Sequence, residues 1–92
     1  MTEYNIEQLR DKIDEIDTQI TDLFKQRMEI ALEVAKYKKE NGIPVLNNTR
    51  EKEVLYKVSE QIGEPLDGYA RQLFETLFDV SKAYQNDYLA KE

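Results

Sequence analysis

An arginine at position 27 stands where a helical apolar pattern asks for a hydrophobe. Ile6, Leu9, Ile13, Ile16, Ile20 and Leu23 are followed, after that one missing step, by Ile30, Val34 and Tyr37. Steps alternating between three and four place these positions on one stripe of a helix, the stripe a coiled coil or bundle buries. A guanidinium stays charged at ordinary pH, so burying it is costly unless an anion is held against it. Lys38 lies eleven residues further on, three turns plus about 20° and roughly 16 Å along the same face, which leaves room for a small anionic molecule rather than a phosphate alone. Arg50 and Glu51 open a second helical segment, where a guanidinium, a carboxylate and the helix dipole can together hold a carboxylate and a hydroxyl. Ser81 and Gln85, one turn apart, interrupt a third face that otherwise reads as apolar. The chain has neither histidine nor cysteine, so imidazole and thiol chemistry are excluded and any catalysis must use these other groups.

Each position alone also has a plainer reading. Arg27 can be a snorkelling or salt-bridged arginine at a bundle seam. Lys38, Arg50 and Glu51 can be solvated helix charges, Ser81 a tolerated small residue, and Tyr37, Tyr84 and Tyr88 core or interface aromatics.

The elements that must position these groups are helices. From about residue 6 to residue 40 the pattern runs without Pro or Gly, a helix of some 35 residues and roughly 52 Å, too long for a compact domain of this size. Asn41-Gly42 followed by Pro44 stops it, Gly42 being suited to a left-handed cap. A second helix is expected over about 49–62, with Asn48 and Glu51 spaced as a capping box and Val54, Leu55, Val58 and Ile62 as its apolar face. Gly63-Glu64-Pro65 breaks the pattern, and Asp67 can cap a third helix over about 67–88, whose stripe is Ala70, Leu73, Phe74, Leu77, Ser81, Tyr84 and Tyr88. The fold class is all-α.

Composition narrows the partners. With 92 residues and 40% hydrophobic content, one chain buries only a limited core, and help from a second chain is expected. Arg10 lies seventeen residues and roughly 25 Å from Arg27 and about 100° around the helix, so it cannot easily meet the same small ligand, whereas an antiparallel partner helix brings another Arg10 close. Both features point to a dimer whose sites use both chains. A net charge of −6 argues against nucleic acid as a partner. No apolar run approaches the ~20 residues needed to span a bilayer, and no secretory signal is visible, so a cytoplasmic location is expected. The start at Met1 without a linker-like tail favours a free-standing protein.

Together these residues resemble the all-helical, type II class of chorismate mutases. The likeness covers nearly the whole chain: LRDKIDEIDTQITDLFKQRMEIALEVAKYKKENGIPV followed by NNTREKEVL is similar to the family's first helix, loop and second-helix start. Leu9-Arg10, the Arg27 step, Lys38, Pro44-Val45 and Arg50-Glu51 are specific in combination, and Ser81 and Gln85 fall where the family places its final polar pair. The resemblance implies an intertwined homodimer with antiparallel long helices and two equivalent sites. It implies that Arg27 and Arg50, with Arg10 of the partner subunit, bind two substrate carboxylates, and that Lys38 and Gln85 donate to the ether oxygen of chorismate. Glu51 would contact the ring hydroxyl or assist around Lys38, and Ser81 would support a carboxylate. Where some members carry an aspartate for the hydroxyl this chain has Asn47, an amide that can still hydrogen-bond, so altered binding rather than lost activity is expected. The implied reaction, chorismate to prephenate in phenylalanine and tyrosine biosynthesis, needs no cofactor or metal. Competing readings are an isochorismate pyruvate lyase of similar fold and a non-catalytic helical dimer in which the polar seam residues fix register.

Overall fold

A computed structural model describes residues 5–91 as three helices, α1 (Ile6–Glu40), α2 (Asn48–Ile62) and α3 (Asp67–Ala90), with no strand among the described residues. The all-α class follows from long Pro- and Gly-free stretches rich in Glu, Lys, Leu and Gln. The chain divides into two units, Met1–Ile30 and Ala31–Glu92.

The first unit is the N-terminal part of α1. Its helix start is fixed reciprocally: the Gln8 backbone N–H donates to Asn5 Oδ1 at 2.8 Å, and the Asn5 N–H donates to Gln8 Oε1 at 3.0 Å. This is a capping box spelled N-x-x-Q. Along the same stretch Ile6, Leu9, Ile13, Ile16, Ile20 and Leu23 are between 41% and 62% exposed. The heptad stripe is therefore uncovered in the single chain. Burying each such side chain is worth about 1.5–3 kcal/mol, a stabilisation this chain does not realise alone.

The second unit holds the last turns of α1, the connection to α2, and α2 packed against α3. Ala31, Ala35, Ala70, Phe78, Ser81 and Gln85 are buried there. Phe74 meets Phe78 edge-on with ring centroids 6.4 Å apart, and the Lys36 ammonium sits 5.8 Å from the centre of the Tyr88 ring, a cation–π contact. The buried stripe of α3 differs from the expected one. Leu73 and Tyr84 are 58% and 42% exposed, while Phe78 and Gln85 are inside. The stripe climbs through 70, 74, 78, 81 and 85, which turns α3 so that 73 and 84 fall on its neighbouring face.

The helix ends explain how the connections are held. Gly42 has φ +65°, and the N–H groups of Ile43 and Gly42 donate to the carbonyls of Lys38 and Lys39 at 2.8 and 3.4 Å. That pair of bonds is a Schellman motif, with glycine at the left-handed position. The cap of α2 is Asn47 rather than Asn48: its Oδ1 accepts from the Arg50 N–H at 3.0 Å. Asp67 does not cap α3 either. Leu66 takes that position without a side-chain cap bond, and Asp67 is the first helical residue. Replacing Asn47 by alanine is expected to lower unfolding stability by about 1 kcal/mol, read as a shifted urea midpoint at unchanged slope.

Candidate active site

The second unit carries six of the sequence-derived candidates, Lys38, Asn47, Arg50, Glu51, Ser81 and Gln85. Lys38 is in the last turn of α1 and half-buried. Its Nζ donates to the Val45 carbonyl at 2.8 Å, which uses one of three ammonium donors and fixes the long side chain over the loop. Arg50, in the first turn of α2, is 3.5 Å from Glu53, both side chains being more than 60% exposed. An exposed pair of this kind is worth about 0–1 kcal/mol, so the guanidinium can leave it for a ligand carboxylate at little cost.

Glu51 follows from the position of the cap. With Asn48 as cap, Glu51 would be the third helical residue and its carboxylate would reach back to the cap N–H. With Asn47 as cap, Arg50 takes that position, and Glu51 instead pairs across to α3. Its Oε2 is 3.0 Å from Lys82 Nζ, with the two side chains 25% and 27% exposed. Lys82 was absent from the sequence candidates. The signal that points to it is its place immediately after Ser81 and one turn before Gln85.

On α3, Gln85 Nε2 donates to Ser81 Oγ at 3.1 Å, and both residues are buried. The Gln85 Oε1 is buried and has no hydrogen-bond partner. An unsatisfied buried acceptor costs about 1–3 kcal/mol. Turning the amide end for end lets the serine hydroxyl donate to Oε1 and puts the NH2 group, a donor, in the buried unpartnered position.

Arg10 and Arg27 belong to the first unit, Arg10 exposed and Arg27 half-buried. A groove of about 340 Å³ between α2 and α3 is lined by Glu51, Glu75 and Asp79 against Lys52. Three carboxylates to one ammonium make it a poor seat for an anion.

Within the second unit the polar side chains of these candidates are an ammonium, a guanidinium, amides, a hydroxyl and a carboxylate, on an all-helical frame without imidazole or thiol. A family model described as chorismate mutase type II matches residues 9–86. The chain is 33% identical over 84 residues to a chorismate mutase of Methanocaldococcus jannaschii, covering 89% of this chain and 85% of that protein. It is also 30% identical over 77 residues to a 3-dehydroquinate dehydratase of Pyrobaculum aerophilum, where the match spans 84% of this chain but only 23% of that protein. Among solved structures, a conserved hypothetical protein from Pyrococcus furiosus superposes with a TM-score of 0.75 at 38% identity, covering 91% of this chain and 99% of that one. The chain belongs to the type II chorismate mutase family.

Proposed function

We propose that this chain rearranges chorismate to prephenate by selecting one substrate conformer and stabilising charge on the ether oxygen. Family membership makes it an isomerase of aromatic amino acid biosynthesis. The reaction is an intramolecular [3,3]-sigmatropic shift, in which a carbon–oxygen bond breaks as a carbon–carbon bond forms. It needs no proton transfer and no covalent intermediate, which suits a chain without histidine or cysteine.

The observation that carries this reading is the Ser81–Gln85 pair. Of six buried residues among those described, two are polar, and one of these has an unsatisfied amide. A chain with so small a core gains nothing in stability from that arrangement, whereas, with the amide turned, a ligand oxygen accepting from its NH2 group completes it.

In this mechanism the residues divide into two tasks. Arg27 and Arg50, with Arg10 of the partner subunit, hold the two carboxylates so that the reacting carbons approach; Ser81 supports one carboxylate. Preorganisation of this kind supplies up to about 7–11 kcal/mol in favourable intramolecular cases. Lys38 and Gln85 donate to the ether oxygen, where negative charge grows as the bond breaks. A preorganised donor at such an oxygen is worth about 3–4 kcal/mol in a water-excluded site. These bonds strengthen toward the transition state, which is what makes them catalytic and not merely adhesive. Glu51 and Asn47 serve the ring hydroxyl.

The homodimer belongs to the same proposal, and the uncovered apolar stripe of α1 supports it. Continuous apolar surface of that extent is unusual on a monomer. A solution mass of about twice 10.9 kDa is expected by light scattering, and a mass of one chain would remove the role of Arg10. The activity test is direct: incubation with chorismate should give prephenate, and incubation with isochorismate should give no salicylate and pyruvate. The reverse pattern would assign the lyase, and no turnover of either would favour a non-catalytic dimer.

A further inference from the structure

We propose that Lys82 is a positioning residue that sets the Glu51 carboxylate for the substrate's ring hydroxyl. The inference rests on the mutase reading and extends it to a residue that reading does not use.

Three observations lead to it. Lys82 and Glu51 form a 3.0 Å ion pair from α3 to α2, and each side chain is about three-quarters buried. The other carboxylate near Lys82, Asp79, is 3.9 Å away and 79% exposed, so Glu51 is the partner that determines where the ammonium sits. The pair also joins two parts of the candidate site, because Glu51 follows Arg50 on α2 and Lys82 follows Ser81 on α3.

The chemistry gives the pair a task. A hydroxyl donor on the substrate needs an acceptor; the Asn47 side-chain oxygen has one of its two lone pairs held by the Arg50 N–H, whereas an ionised carboxylate is the stronger acceptor. Glu51 is then the acceptor. Lys82 binds Oε2 and leaves Oε1 to accept a hydrogen bond from the hydroxyl, so the carboxylate is held in one rotamer instead of several. Lys82 also offsets the negative charge that Glu51 would otherwise present to a dianionic substrate. The ring hydroxyl keeps its bonds during the rearrangement, so a contact to it is equally strong in ground and transition states. Its loss should therefore raise KM and spare kcat.

The test is a double-mutant cycle on chorismate turnover. Lys82→Met is expected to raise KM about fivefold with kcat within about twofold of the parent. Lys82→Arg, which keeps the cation, should return KM to within about twofold. In a Glu51→Gln background, Lys82→Met should change KM by less than about 1.5-fold, because the group it acts through is gone. Circular dichroism and thermal midpoints accompany each variant, and Lys82→Gln replaces Lys82→Met where the latter does not fold. An equal KM increase in the Glu51→Gln background would show that Lys82 acts independently of Glu51 and overturn the inference. So would an active parent indifferent to both Lys82 substitutions. A parent that does not turn over chorismate at all removes the mutase reading and, with it, this role for Lys82.

Discussion

Arg27→Ala is expected to lower kcat/KM for chorismate by roughly 10²–10³-fold while the chain stays helical. The magnitude follows from what the substitution leaves behind. Removing one partner of a desolvated, hydrogen-bonded charge pair costs about 2–5 kcal/mol, much of it from the abandoned charge, and each 1.4 kcal/mol is a factor of ten. In the proposed mechanism the abandoned charge is a substrate carboxylate, so affinity and alignment are lost together. Arg27 stands in a row of apolar residues on α1, so an alanine there is an easy helical substitution and should not unfold the chain. Far-ultraviolet circular dichroism and solution mass measured beside the kinetics separate the two effects. Near-normal turnover by Arg27→Ala would sink the assignment of a carboxylate to this arginine.

A second large effect is expected at Lys38, with a different kinetic signature. Lys38→Ala should reduce kcat by roughly 10²–10³-fold with a smaller rise in KM, since its ammonium is assigned to an oxygen whose charge grows only as the bond breaks. Gln85→Ala should resemble it in kind, as a second donor to the same oxygen. A rise in KM alone would make Lys38 a uniform binder of the substrate.

The helices were legible where the chain spells them. The three-and-four alternation carries α1 from Ile6 to Glu40, and Gly42 with Pro44 marks its end because only a left-handed residue closes that turn without strain. The caps were less so. Asn47 and Asn48 are adjacent and equally able to cap, and the choice between them depends on the path of the preceding loop, which spacing does not encode. That one-residue difference decided what Glu51 does. The Lys82–Glu51 pair was hidden for a similar reason, since it depends on how α3 is turned against α2, and the same rotation moved Leu73 and Tyr84 outward. The polar pair on α3 was readable because Ser81 and Gln85 interrupt an apolar face at helical spacing.

Lys38 is tied to the loop that follows it in two ways, its backbone carbonyl accepting from Ile43 and its side chain donating to Val45. Surface connections ordinarily tolerate inserted or deleted residues. Here one extra residue between Gly42 and Asn47 would move the carbonyl on which the ammonium rests, and the proposed donor with it. With Lys38 in its proposed role, the length of a solvent-facing turn becomes a parameter of turnover, and indel scanning of this connection should find it as intolerant as a buried helix.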